Sequence, residues 1–351
     1  MRIDEKYMWR CLQLAKKGLG NTKNNPLVGS VVVHNGRIIG EGFHRKIGEA
    51  HAEVNAINSV KDGSLLKEAT LYVSLEPCSH YGKTPPCAEL IAAKGIPHVV
   101  VAVADPNHKV AGRGIKMLRD AGAKVTVGIL EDEAKRLNQS FFVNQIENRP
   151  FVVLKWAQTK DGFIDNERQT QDLPPLKLSN SITQCLVHRL RSRSMGIMVG
   201  TNTVLKDNPT LNTRKWCGDN PTRIVIDKTG KLSAFSKIFN EDAPTVVFTE
   251  LDTYPISGNV TALTIDFNGN VIKQILHKLF ELNIATLMVE GGNILVSSFI
   301  ESNMWDETLI EVSDIKIGCG IRAPIVSGSF VNAKKYIDSF HYHIKNEITR
   351  N

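Results

Sequence analysis

The sequence predicts two α/β domains in series, and three observations carry that prediction. Its 351 residues are enough for roughly two domains of about 150 residues each. Strand-like and helix-like segments alternate through both halves. Between the halves, Asn148-Arg149-Pro150 interrupts a helical pattern immediately before a new strand. The first domain is therefore placed at residues 1–147 and the second at residues 148–351.

In the first half, Tyr7, Met8, Cys11, Leu12 and Ala15 recur at helical spacing, and Gly18 and Gly20 close that helix. Val28 to Val33 and Arg37 to Glu41 read as strands joined by His34-Asn35-Gly36, whose Asn-Gly step signals a hairpin. A helix from about His51 to Val60, a strand Thr70 to Ser74, a helix Cys87 to Lys94 and a strand His98 to Ala104 follow. A helix over Ile115 to Ala121, a strand Lys124 to Val127 and a single helix from Glu131 to Asn144 complete the domain. The second half opens with a strand Phe151 to Lys155, then a helix Ile182 to Ser192 and a strand Gly196 to Val199. Strands near Arg223 to Ile226 and Thr245 to Phe248 precede a helix Val271 to Leu282 and a strand Thr286 to Val289. A helix Ile294 to Ser302 and a strand Glu307 to Val312 end the pattern.

Composition excludes several classes. With 42% hydrophobic and 23% charged residues the chain is ordinary globular protein. No stretch reaches the about 20 apolar residues of a membrane span, and the mixed charges of Met1 to Lys6 lack a signal peptide's apolar core. The net charge of +7 favours anionic ligands, but it is spread too evenly for a nucleic-acid tail. Six scattered cysteines are too few for a disulfide scaffold, so a cytoplasmic location is expected, and a close cysteine pair there points to metal.

That pair lies in the first half. His51-Ala52-Glu53 begins a helix; Glu76-Pro77-Cys78 and Pro85-Pro86-Cys87 follow, the second opening the next helix. One imidazole and two thiolates leave the fourth tetrahedral position of Zn²⁺ open, the mark of a catalytic site. Zinc brings its water to a pKa of about 7, so hydroxide is available for attack on an aminated ring. Glu53, two residues beyond His51, is placed to shuttle the proton without being a ligand. Zinc deaminases pair H-x-E with P-C-x-x-C, whereas eight residues separate the cysteines here. Any one of these residues alone reads as an ordinary core or turn residue; their order along strand, loop and helix sets them apart.

The loop from Pro77 to Cys87 resembles the bifunctional deaminase/reductase family of bacterial riboflavin biosynthesis, as do Asn25-Pro26-Leu27-Val28-Gly29, Gly40-Glu41-Gly42-Phe43-His44, Ala50-His51-Ala52-Glu53 and Asp105-Pro106-Asn107. The resemblance spans nearly the whole chain. It implies a cytidine-deaminase-like α/β/α domain followed by a dihydrofolate-reductase-like α/β domain. His51, Cys78 and Cys87 would hold zinc, and Glu53 would move the proton. Asn25, His44, His80, Lys83, Asp105 and Asn107 would line the pocket for a phosphoribosylaminopyrimidine. A nucleoside or tRNA deaminase with an unrelated accessory domain is the alternative, and the long loop argues against it.

In the second half, Lys160-Asp161-Gly162, Val199-Gly200-Thr201 through Asp207-Asn208-Pro209 and Val289-Glu290-Gly291-Gly292-Asn293 stand out. Glycine directly after a strand, where a helix opens, lets a phosphate approach backbone N–H groups. No G-x-G-x-x-G run is present, which argues against a Rossmann dinucleotide domain. The resemblance implies an NADPH-dependent reductase here, with Thr203, Asp207, Gly292 and Asn293 at the cofactor and Arg191, Leu211, Arg214 and Glu290 at the ribosyl phosphate. Lys177 stands where the family commonly has tryptophan, and Pro175 where it has a small hydroxyl residue; both are left out of the expected site. The implied partners are small phosphorylated pyrimidines, with no nucleic acid and no membrane; the sequence leaves the oligomeric state open, and the resemblance allows a homo-oligomer.

Overall fold

The computed structural model describes residues 3–81, 85–107, 111–168, 173–256 and 258–347. The chain divides into two compact units, Met1–Asn148 and Arg149–Asn351. No helix among the described residues is long and apolar enough to cross a membrane.

The first unit runs α1 (Ile3–Ala15), β1 (Gly29–His34), β2 (Arg37–Phe43), α2 (Ala52–Asn58), β3 (Thr70–Val73), α3 (Cys87–Ala93), β4 (His98–Val101), α4 (Arg113–Asp120), β5 (Lys124–Val127), α5 (Glu131–Leu137) and α6 (Gln139–Glu147). Among the described residues it forms a five-stranded sheet in the order β2-β1-β3-β4-β5. β1 is antiparallel to β2 and β3, while β3, β4 and β5 are parallel. The β1–β2 hairpin turns through Asn35 and Gly36 at φ of 46° and 73°, the pair of positive angles an Asn-Gly step supplies. Strand alternation divides the core into two layers. Val31, Val33 and Val100 pack with Met8, Cys11 and Leu12 of α1, and Val32, Val99 and Val101 pack with Ala56, Ala88, Ile91 and Leu118 of α2, α3 and α4.

The expected single helix over 131–144 is two helices, broken at Asn138. The side chain of this buried residue pairs with the backbone of Leu27, accepting from its N–H at 2.8 Å and donating to its carbonyl at 2.9 Å. The amide substitutes for a strand partner, which a periodicity of apolar residues does not reveal.

The second unit runs β6 (Phe151–Gln158), β7 (Phe163–Asp165), α7 (Ser181–Arg191), β8 (Gly196–Val199), α8 (Thr201–Asp207), β9 (Thr222–Ile226), β10 (Thr245–Thr249), β11 (Val260–Thr264), α9 (Val271–Glu281), β12 (Thr286–Val289), α10 (Asn293–Glu301), β13 (Glu307–Ser313), β14 (Ile321–Arg322), β15 (Ser329–Tyr336) and β16 (Ser339–Lys345). Its nine-stranded sheet among the described residues has the order β11-β10-β9-β8-β12-β6-β13-β16-β15, and β7 pairs with β14 apart from it. The strands from β11 to β13 are parallel; β16 and β15 close the sheet antiparallel. Met198, Leu287 and Leu154 pack under α9 and α10, and Ile197, Val199 and Val225 pack with Val204 and Leu232 on the other face.

The C-terminal hairpin is absent from the sequence expectation. Its turn passes through Ile337 at φ 58°, a conformation that β-branched residues rarely adopt, so no turn residue announces it. Because β8 and β12 are adjacent and parallel, the loops leaving their C-terminal ends lie side by side, where open α/β sheets form their ligand crevice.

Candidate functional site

In the first unit two short helices bring three donors together. His51 is the N-cap of α2, and Cys87 is the first residue of α3 after Pro86. Cys78, on the loop following β3, accepts the Cys87 N–H at 3.2 Å. His51 Nδ1 lies 3.5 Å from Cys78 Sγ and 3.3 Å from Cys87 Sγ, and the three donor atoms are all within 4.8 Å of one another. Bonds of about 2.3 Å to sulfur and about 2.0 Å to nitrogen at tetrahedral angles would space sulfur and nitrogen by about 3.5 Å. The donor set fits zinc.

The electrostatics fit as well. Cys78 is pushed down to about 4, first by its hydrogen bond with Cys87 and then by His51, against the opposing effect of burial. Cys87 keeps its proton beside that thiolate, because two adjacent anions need a cation between them. Glu53 lies in the first turn of α2, 3% exposed, outside the donor set. Burial, with the charge of Cys78 adding, raises its carboxyl to about 7. A carboxyl near 7 can both take and return a proton at neutral pH.

The expected pyrimidine residues are distributed around this cluster. The Asn25 amide nitrogen is 3.1 Å from His44 Nε2, and the His44 ring stands edge-on to His51 at 5.5 Å. His44 Nδ1 donates to the Ala50 carbonyl at 3.3 Å. Burial lowers its pKa below the ordinary histidine value, against the opposing effect of the Ala50 carbonyl. Asp105 accepts the Asn107 N–H at 2.8 Å, and the Asn107 amide donates to Gln145 at 3.2 Å. Burial raises the Asp105 carboxyl, and exposed His80 is close enough to oppose that shift. Lys83 lies outside the described residues.

In the second unit a cavity of about 1000 Å³ opens at the β8 and β12 loops. Gly200 caps α8 and Gly292 caps α10; Thr203, Asp207, Gly292 and Asn293 all line the cavity. A Cβ on Gly292 would stand 3.9 Å from Thr203 Oγ1, so the two loops face one another. Asn293 Oδ1 accepts from Ser297 at 2.7 Å, and Asp207 is ion-paired with Arg168, which also bridges to Asp165.

Arg191, Arg214 and Glu290 line the same cavity. Arg191 grips Glu290 with a fork, Nε to Oε1 at 2.9 Å and Nη2 to Oε2 at 2.6 Å, while its Nη1 donates to the Asn212 carbonyl at 3.1 Å. Burial pushes the Glu290 carboxyl up, but Arg191, with Lys155 and His188 adding, brings the net shift down. The Arg191 guanidinium is thus paired with Glu290 at the cavity wall. Arg214 is exposed and bonded through Nη1 to Asn212 Oδ1 at 3.0 Å. Leu211 is buried, adopts φ 54° and packs with Ile197 and Val204; it is outside the cavity lining.

Other lining residues escaped the sequence reading. His188, one turn before Arg191 on the same helix, is 4% exposed with Nδ1 unpaired; its i, i+3 spacing from Arg191 was the available signal. Lys155 lines the cavity with its Nζ 3.9 Å from Glu311. Pro175 and Lys177 also line it, although their departure from the family pattern had removed them from the expected site. Lys160-Asp161-Gly162 is a connection: Asp161 accepts the N–H groups of Ile317 and Gly318 at 3.1 and 2.8 Å.

Two family models match the chain. Residues 1–103 match the cytidine and deoxycytidylate deaminase zinc-binding region, and residues 150–348 match the RibD C-terminal domain. The riboflavin biosynthesis protein RibD of Aquifex aeolicus is 40% identical over 326 residues, covering 91% of this chain and 89% of its own. That of Bacillus amyloliquefaciens is 37% identical over 348 residues, covering 97% and 92%. Among solved structures, the Thermotoga maritima diaminohydroxyphosphoribosylaminopyrimidine deaminase/5-amino-6-(5-phosphoribosylamino)uracil reductase superposes with a TM-score of 0.87 at 37% identity, covering 98% of this chain and 99% of that one. Acinetobacter baumannii RibD superposes at 0.86 with 31% identity and 98% coverage of both chains.

Proposed function

The chain belongs to the RibD family of riboflavin biosynthesis, and on that premise we propose which of its residues carry each reaction. It is a bifunctional enzyme, a zinc-dependent deaminase joined to an NADPH-dependent reductase. Its substrate, 2,5-diamino-6-(5-phosphoribosylamino)pyrimidin-4-one, loses an exocyclic amine as ammonia; the ribosyl group is then reduced to give 5-amino-6-(5-phosphoribitylamino)uracil.

His51, Cys78 and Cys87 would hold the zinc, which when bound supplies an acidified water. Glu53 takes a proton on its carboxylate oxygen and returns it to the departing nitrogen. His44, neutral and donating through Nδ1, accepts the Asn25 amide N–H on Nε2. That arrangement leaves the Asn25 carbonyl oxygen to accept from the pyrimidine edge. Asp105, Asn107 and His80 complete the pocket wall. The observation that carries this reading is the juxtaposition of the three-donor cluster with buried Glu53.

In the reductase unit, NADPH supplies the hydride. Thr203, Gly292 and Asn293 hold the dinucleotide at the mouths of α8 and α10, and Asp207 fixes that wall through Arg168. Arg191 orients Glu290 toward the ribosyl group, and Arg214 meets the phosphate; Leu211 sets the turn between them from the core. A coupled assay started with the diaminopyrimidinone tests the whole: ammonia and NADPH loss should appear in equal amounts, and ammonia without NADPH loss would remove the reductase assignment.

Two broader expectations belong to the same reading. None of the six cysteines is in a disulfide, which suits the cytoplasm. β15 ends the sheet, paired only with β16 among the described residues, and its Phe330 is 64% exposed, a surface suited to self-association; light scattering at two concentrations tests for the homo-oligomer.

A further inference from the structure

Glu76 carries no part of the chemistry above, yet its carboxylate is among the most heavily bonded groups of the first unit. It is 6% exposed and stands two residues before the donor Cys78. Its Oε2 accepts the N–H groups of Asp105 at 3.1 Å and Gly112 at 2.9 Å. Its Oε1 accepts those of Gly114 at 2.9 Å and Ile115 at 3.2 Å. Its own N–H donates to the Val103 carbonyl at 2.9 Å. One side chain thereby ties three segments together: the loop carrying Cys78, the 105–107 turn of the pyrimidine pocket, and the first turn of α4. The approach is close, for a Cβ on Gly114 would lie 2.0 Å from the Pro77 carbonyl oxygen.

We propose that Glu76 is a positioning residue that holds the Cys78 loop and the Asp105–Asn107 turn in one rigid frame, so that the metal donors and the pyrimidine pocket keep a common geometry. The chemistry of the group decides this. Only an ionised carboxylate presents two oxygens that can each accept two N–H donors. The isosteric amide turns one of them into a donor facing two other donors. Partners that orient ligands from behind typically govern metal affinity by about 10- to 100-fold.

The inference rests on the donor set proposed above, and the test separates the two. Co²⁺ is titrated into the metal-stripped full chain and followed by thiolate-to-cobalt absorption, and deamination is assayed with Zn²⁺ saturating. Glu76→Gln should weaken Co²⁺ by about 10- to 100-fold and raise the deaminase KM about tenfold or more, with kcat changed much less. Co²⁺ affinity and KM both within about twofold of the parent would overturn the proposal, as would a fall confined to kcat. Cys78→Ser is run alongside. If it binds Co²⁺ like the parent, the donor set itself fails; if it loses Co²⁺ while Glu76→Gln does not, only the role of Glu76 fails. Glu76→Ala with added formate is the second arm: recovery of the cobalt spectrum by formate, and not by equal chloride, supports the proposal. Limited proteolysis showing residues 3–148 unfolded in both variants would make Glu76 a core residue and overturn the positioning role.

Discussion

The Asn25 amide nitrogen lies 3.1 Å from His44 Nε2, while His44 Nδ1 faces the Ala50 carbonyl. A carbonyl only accepts, so Nδ1 bears the proton and Nε2 is the acceptor. The pair therefore dictates which way the Asn25 amide points. Asn25→Asp removes the donor and sets a carboxylate against an unprotonated ring nitrogen. The deaminase KM should rise by about 5- to 100-fold, and His44 should titrate at higher pH in the variant by NMR. A KM and a His44 titration both unchanged would refute the assigned tautomer.

Glu53→Gln keeps the shape of the first turn of α2 and removes the group that exchanges protons. Metal content should stay at one per chain while ammonia release falls by about 10²- to 10⁴-fold. Atomic absorption and an ammonia assay on the same sample check both halves; undiminished turnover would place the proton relay elsewhere.

Gly114→Ala tests the closeness of the α4 turn to the zinc loop. The added methyl would meet the Pro77 carbonyl at 2.0 Å, so the loop or the helix must shift, at about 1–3 kcal/mol. Thermal unfolding should show that loss together with weaker Co²⁺ binding, whereas NADPH binding by the second unit should persist.

Arg191→Lys retains the charge but not the fork that grips both oxygens of Glu290. The kcat/KM for reduction should fall by about 10- to 100-fold, and ammonia release should be unaffected. Equal NADPH oxidation by variant and parent would mean that the planar fork is immaterial.

His188 is driven down to about 4 from an ordinary 6.5, first by burial and then by Arg191 and Arg214, with Lys215 adding and Glu290 opposing. Between these values the unfolded chain binds a proton that the folded chain refuses, so stability of the second unit is lost as pH falls from 6.5 towards 4. The loss attributable to this residue is at most about 3.5 kcal/mol. Urea midpoints read from tryptophan fluorescence should fall across that window and fall less in His188→Asn; parallel pH curves would assign the effect to other groups.

Much of the first site was legible in the chain. His51, Glu53, Cys78 and Cys87 are few, chemically distinctive and placed at element boundaries, so residue type and order together suffice. Glu76 was visible as a letter beside Pro77 but its role was not, because its four partners are backbone N–H groups that no residue type reveals. The second site was less legible. Arg191 and Glu290 are 99 residues apart, and neither the fork between them nor the neighbouring cavity wall of Lys155, His188 and Lys177 follows from local pattern. Asn138 and Ile337 misled the element reading for a related reason: a side chain paired with a distant backbone and a left-handed turn are set by tertiary contacts.

By itself the sequence determined the two α/β units and pointed to His51, Cys78 and Cys87 as candidate zinc donors with Glu53 beside them, since periodicity and the identity of soft ligands are local properties. Only the tertiary structure decided that His44 meets the Ala50 carbonyl through Nδ1 and Asn25 through Nε2, that Arg191 forks onto Glu290, and that the Glu76 carboxylate bridges the 105–107 turn and α4. The physical reason is shared. Protonation state, hydrogen-bond direction and ion pairing depend on burial and on partners brought close by the fold, and these are distances through space that spacing along the chain does not encode.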